Sequence, residues 1–163
     1  MTTTQATTPS TLAASPEIAN GAAQFLTPVV IDLEALVVDG KQAHWHVRGA
    51  SFAGVHESLD ALVSEAQEFA DLAAERVIAL GLPLDSRIRT VAEQTTLPAL
   101  PEGFQGFQDC IKQVVSLIDA ALVTVRAAVD GLDEVDLNSQ DVAIEIERGL
   151  TKRRWLLDAH VAN

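Results

Sequence analysis

Phe52-Ala-Gly-Val-His56-Glu-Ser-Leu-Asp60-Ala-Leu-Val-Ser64-Glu-Ala-Gln67-Glu-Phe-Ala-Asp71-Leu-Ala-Ala-Glu75-Arg-Val77 repeats its apolar residues at intervals of three and four. Phe52, Val55, Leu59, Leu62, Ala66, Phe69, Ala73 and Val77 form one stripe, which is the period of an α-helix with one buried face. Gly81-Leu-Pro83 follows, a helix stop signal. The same period appears on both sides of this segment. Upstream, Val29, Val30, Leu33, Leu36 and Val37 predict a first helix, with Thr27 as N-cap and Pro28 in the first turn or at a kink. Downstream, Phe104, Phe107, Ile111, Val114, Ile118, Leu122, Val125 and Val129 predict a third. Asn138 or Ser139 then caps a fourth, carrying Val142, Ile146, Leu150, Trp155 and Leu157. No run alternates with period two for long enough to be a strand.

Short links join helices one and two, and three and four, so those pairs are antiparallel neighbours. Residues 82–103 join helices two and three and contain Pro83, Pro98 and Pro101. Structureless loops of that length are uncommon, and Thr90-Val-Ala-Glu93 reads as a capping box. The expectation is therefore an all-α, ferritin-like four-helix bundle with a short helix in its one long crossover. Residues 1–16 are Thr-, Ser-, Ala- and Pro-rich and uncharged, which predicts a flexible N-terminal tail before a single domain over 17–163.

Composition narrows the function. The 163 residues carry 11 Lys+Arg against 23 Asp+Glu, a formal net charge of −12. Bulk charge that acidic argues against binding nucleic acid or anionic membrane. Hydrophobic residues make up 48 %, enough for a substantial core and slightly rich for a soluble domain, a hint of buried subunit interface. Cys110 is the only cysteine, as expected in a reducing cytoplasm. Pro28, Asp32, Glu34 and Asp39 interrupt the most apolar early stretch, and no Lys or Arg precedes Lys41. Neither a membrane span nor a secretory leader is expected.

Opposite the apolar stripe of the second helix runs a polar one: His56, Asp60, Ser64, Gln67, Asp71 and Glu75. A solvated helix face is one reading. Such faces usually mix charges to gain i,i+4 pairs, yet this stripe holds three carboxylates, one imidazole and no cation. His56–Asp60 and Asp71–Glu75 are ligand-type pairs suited to a hard or borderline divalent metal. Asp60 and Asp71 lie roughly 16 Å apart along the helix axis, too far for one chain to bring both pairs to one ion. The positions are symmetric, however: 56 and 75, and 60 and 71, share the midpoint 65.5. An antiparallel copy crossing near Glu65 and Ala66 would set His56 against the second chain's Glu75, and Asp60 against its Asp71. A twofold dimer then holds two metal sites, each half-built by either chain. His44, folded back across the Arg48–Ser51 turn, reads equally as a further ligand or as a structural group. His46 and His160 read as structural.

The string Lys41-Gln-Ala-His44-Trp45-His-Val-Arg-Gly-Ala-Ser-Phe-Ala-Gly-Val-His56-Glu-Ser-Leu-Asp60, followed by Asp71-Leu-Ala-Ala-Glu75-Arg76, resembles the Dps mini-ferritins (DNA-binding proteins from starved cells). The resemblance extends over about residues 17–160. It implies hollow dodecamers of four-helix subunits that oxidise Fe(II), hydrogen peroxide preferred over dioxygen, and store the ferric mineral inside. It also implies twofold ferroxidase centres to which one chain gives His44, His56 and Asp60 and its mate gives Asp71 and Glu75. Trp45 matches the family's tryptophan beside that centre, an electron donor or an interface residue. Asp141, with Glu145 one turn on, matches acids lining a threefold iron entry pore; placement at a helix N-terminus explains them equally. Classical ferritins use Glu-x-x-His pairs within one chain, and no Glu here has His three residues on.

Many relatives bind DNA through a basic tail, and this chain has none; Lys152-Arg153-Arg154 is its one basic cluster, which a solvated helix face also explains. DNA binding is therefore not expected at neutral pH. The function expected is a cytoplasmic ferroxidase and iron store, with a DNA-compacting protein and a metal-assisted hydrolase as rivals.

Overall fold

The computed structural model describes residues 14–161; most of the expected N-terminal tail, residues 1–13, lies outside them. The described residues form four long helices and one short one: α1 (Pro16–His46), α2 (Phe52–Ala79), α3 (Ile88–Gln94), α4 (Phe107–Leu132) and α5 (Leu137–Asp158). α1 lies against α2 and α4, and α5 against α4 and α2, so the long helices close a ring around one core. Leu33, Leu36, Leu59, Leu62, Ile118 and Leu150 are among its fully buried side chains. The short helix sits in the crossover against α1, as expected of a ferritin-like bundle.

The first helix begins earlier than its sequence suggested. Ser15 is its cap, accepting from the Ile18 N–H, and Pro16 occupies the first turn. Thr27 is therefore no N-cap, and Pro28 lies inside the helix. An internal proline costs about 3 kcal/mol, but Leu26, Val29 and Val30 on either side of it are wholly buried. Tertiary packing, not propensity, carries the helix through. The second helix ends as its stop signal required: Gly81 takes φ +91° and the Leu82 N–H reaches the Val77 carbonyl.

Three other boundaries differ from expectation. α3 starts two residues before Thr90, and the turn into it is held by Asp85, which accepts from the Arg87 backbone and guanidinium. Phe104 precedes α4 and is exposed; Arg48 stacks on its ring 3.3 Å from the centroid. Beside it, Val47–Arg48 (β1) and Gln105–Gly106 (β2) form a two-residue parallel bridge, too short to leave an alternating pattern. α5 is capped by Asp136 rather than Asn138 or Ser139: its carboxylate accepts from the Ser139 N–H at 3.0 Å. Trp155, expected in the apolar stripe of α5, is exposed.

The crossover is anchored by a carboxylate no sequence pattern had marked. Asp32, buried in α1, accepts from the hydroxyls of Thr95, Thr96 and Thr124 and from the Thr96 N–H, all within 2.9 Å. Four donors satisfy the charge in place, which is what a buried carboxylate requires.

Candidate metal centre

The polar stripe of α2 is an exposed face. Asp60, Ser64, Gln67, Asp71 and Glu75 all reach solvent, while Leu59, Leu62, Ala66, Phe69, Ala73 and Val77 are buried on the opposite side. The helical period alone produces this division.

His44 and His56 meet across the turn between α1 and α2. The His44 Nδ1 lies 2.9 Å from the His56 carbonyl, and the His56 Nδ1 lies 2.9 Å from the His44 carbonyl. A carbonyl oxygen only accepts, so each Nδ1 is the protonated nitrogen and donates. Each Nε2 therefore keeps its lone pair, the tautomer a metal ligand needs. The rings stack with centroids 3.6 Å apart and planes at 21°. Buried His44 is thus both structural and presented as a donor, and Phe52 packs 4.9 Å from the outer face of His56.

Asp60 lies beside this pair, its Oδ1 3.9 Å from the His44 Nδ1. Its partner is Lys41, whose ammonium forms an ion pair with the same oxygen. The stripe itself lacks a cation, but α1 supplies one. The Lys41 hydrogen bond holds the Asp60 carboxyl below the usual carboxylate range, against a smaller opposing effect of desolvation. Lys41 stands three residues before His44, one turn away on the same face of α1, and that spacing is the signal by which it was findable.

Asp71 and Glu75 sit toward the other end of α2. The adjacent Arg76 is turned away from both: its Nη2 lies 2.6 Å from Asp136 and its Nε donates to the Ser139 hydroxyl at 3.0 Å. Among the described residues, no three His, Cys, Asp or Glu side chains of a single chain converge on one point. One end of the stripe offers two imidazole nitrogens and a carboxylate held by Lys41. The other offers two carboxylates.

Trp45 is 62 % exposed and lines one groove with Lys41, Asp60, Ser64 and Gln67. Asp141 and Glu145 are exposed on α5. With α5 beginning at Leu137, Asp141 falls beyond the first turn, so a role in satisfying the helix start is weakened. His46 accepts or donates locally to Gln42, and His160 lies 3.2 Å from the Ser58 hydroxyl. In the basic cluster, Arg153 pairs with Glu65 and Arg154 is bidentate on Asp119, at 2.5 and 3.0 Å. Burial pushes the Cys110 thiol up to about 11, which leaves it unreactive.

Comparison with known proteins follows the same lines. Residues 32–163 match the model of the ferritin-like domain. The DNA protection during starvation protein of Agrobacterium fabrum is 35 % identical over 133 residues, covering 81 % of this chain and 80 % of that protein. Among solved structures, the Dps of Microbacterium arborescens in its high iron form is 63 % identical, with a TM-score of 0.90 over 93 % of this chain and 99 % of that one. The tetragonal form of Mycobacterium smegmatis Dps is 26 % identical, with a TM-score of 0.87 over 91 % of each.

Proposed function

The chain belongs to the Dps family of ferritin-like proteins, and from that premise we propose that it oxidises Fe(II) at centres shared between two subunits and stores the ferric product in a dodecameric cage. The observation that carries the reading is the exposed α2 stripe, with its locked His44–His56 pair and Asp60 at one end and its two exposed carboxylates at the other. Antiparallel pairing of two chains would complete each centre: His44, His56 and Asp60 from one, Asp71 and Glu75 from its mate. Mixed imidazole and carboxylate donors suit Fe(II) with positions left open, and oxygen ligands favour the ferric state.

Hydrogen peroxide is the oxidant proposed. Two Fe(II) each give one electron, the O–O bond breaks, and two protons are taken up to yield two waters and two Fe(III). Pairing both electrons in one event avoids releasing hydroxyl radical. Trp45, exposed in the groove beside Asp60, is placed to donate an electron to any stray oxidising equivalent; the chain has no tyrosine. Three copies of Asp141 and Glu145 around a threefold axis would draw Fe(II) inward. The setting proposed is the cytoplasm, where Fe(II) and peroxide meet.

An anaerobic Fe(II) titration followed by peroxide and particle sizing tests this reading. Saturable Fe(II) binding that His56→Ala abolishes, and oxidised iron that travels with a particle far larger than the 17.4 kDa chain, are expected. Iron that oxidises at the same rate with and without protein, and is not retained, would refute it.

A further inference from the structure

The exposed face of α2 carries a third symmetric pair inside the two ligand pairs. Ser64 and Gln67 share the midpoint 65.5 with 60 and 71 and with 56 and 75. Residues 65 and 66 are unavailable at a crossing. Ala66 is fully buried in the bundle, and Glu65 is held by Arg153 of α5. What the crossing presents instead is a hydroxyl and a primary amide, both exposed. On the neighbouring α1, Val38 is 63 % exposed and lines the same groove as Ser64, Gln67 and Trp45.

We propose that Ser64 and Gln67 set the register in which a second copy of the chain lies antiparallel on this face. Gln67 of each copy donates its amide N–H to the Ser64 hydroxyl of the other, giving two equivalent bonds astride the twofold axis. The inference rests on the shared-centre reading above and adds the contact that aligns it. Alignment is needed because, before a metal binds, the ligand pairs set carboxylate against carboxylate (Asp60 against the second copy's Asp71) and do not themselves hold the two copies together. One helical turn of displacement would set His56 against Asp71 and Asp60 against Gln67, leaving Glu75 opposite Phe52 with no ligand. In the proposed register alone, both outer pairs are matched and the central amide and hydroxyl each find a partner. The second copy also covers Val38 and Trp45, large apolar groups that a lone subunit leaves in water.

Cysteine mapping tests the register, in a Cys110→Ser background. Co-expressed Ser64→Cys and Gln67→Cys chains, distinguishable by tags, should crosslink to each other through a short bismaleimide. Asp60→Cys chains should not crosslink to themselves, since those positions fall roughly 16 Å apart along the axis. Charge variants give an independent readout. Ser64→Lys with Gln67→Lys places like charges across the axis and should weaken dimerisation by at least about tenfold. Ser64→Lys with Gln67→Glu places opposite charges there and should stay paired, with Co(II) affinity within about threefold of the wild type.

Absence of the 64–67 crosslink in a wild-type-like dimer that binds Co(II) would overturn the register while leaving the metal reading intact. The crosslink in a dimer that binds no Co(II) would support the register and remove the metal reading. Equal behaviour of the two charge variants, or a monomer at all concentrations, would also overturn the proposal.

Discussion

Lys41 gives the candidate centre a resident cation. Its ammonium sits on the Asp60 Oδ1, so a metal that uses this oxygen must displace it. The pair fixes the carboxylate beside His44 and His56 and lowers its proton affinity, which keeps Asp60 anionic and available at any neutral or mildly acidic pH. Lys41→Met should therefore have two separable effects. The Asp60 carboxyl titration, followed by NMR, should move up toward the ordinary value of about 3.9. Co(II) should bind about fivefold more tightly, because a nearby positive charge has been removed. An Asp60 titration unchanged by the substitution would show that the two side chains do not pair in solution. The histidines make the complementary point: their reciprocal Nδ1–carbonyl bonds select the tautomer before any metal arrives, so orientation does not have to be organised on binding.

Element ends, not element middles, connect the centre to the rest of the bundle. Asp136 caps α5 and at the same time receives Arg76 from the last turn of α2. Burial disfavours its charge, but the hydrogen bonds from Ser139 and Arg76 outweigh burial and leave its pKa lowered. A carboxylate with a lowered folded-state pKa stabilises above its unfolded value, and the contribution is lost as pH falls through the folded one. Asp136→Ala should lower stability by about 1 kcal/mol at neutral pH from the lost cap. The difference from the wild type should shrink below about pH 4; a difference that stays constant down to pH 2 would rule out the carboxylate as its source. Asp32→Ala, which strands the hydroxyls of Thr95, Thr96 and Thr124, should cost about 3 kcal/mol and expose the amides of 88–97 to hydrogen exchange. These same residues mark where sequence reading stopped. The stripe of α2, its stop at Gly81 and the helix in the crossover were legible because period and turn chemistry are local. Thr27-Pro28 imitates a helix start, and only the burial of Leu26 and Val29 carries α1 past it. At α5, Asp136, Asn138 and Ser139 are all cap-forming types, and the choice was made by Arg76, which arrives from another helix. The threonines on Asp32 are tertiary contacts with no periodic trace, and Lys41 on Asp60 joins two helices, marked in the sequence only by its one-turn spacing from His44.

At the scale of the whole molecule, charge and symmetry set the behaviour. A chain at −12 repeated twelve times would carry a formal −144, and duplex DNA is repelled by such a surface unless a cationic arm reaches past it. Two of the three charges in the basic cluster are spent on Glu65 and Asp119 within the bundle. A gel-shift titration at about pH 7.5 and about 150 mM salt should show no complex at submicromolar cage; a salt-sensitive shift there would contradict this expectation. The α1 helix is apolar and long enough to cross a membrane, with a mean hydropathy of 1.5 over its most apolar window, yet half of that window is buried within the bundle. Symmetry is the stronger constraint on the proposed reading, in which a stripe with ligand chemistry at both ends, and no complete site among the described residues of one chain, is completed by a second copy. The direct test combines a chain carrying His56→Ala and Asp60→Ala with one carrying Asp71→Ala and Glu75→Ala, and measures peroxide-driven Fe(II) oxidation in purified mixed dimers. Each variant alone should be inactive, and the mixed dimer should recover one centre of two, about half the wild-type rate. Mixed dimers as inactive as either parent would contradict a centre shared between subunits.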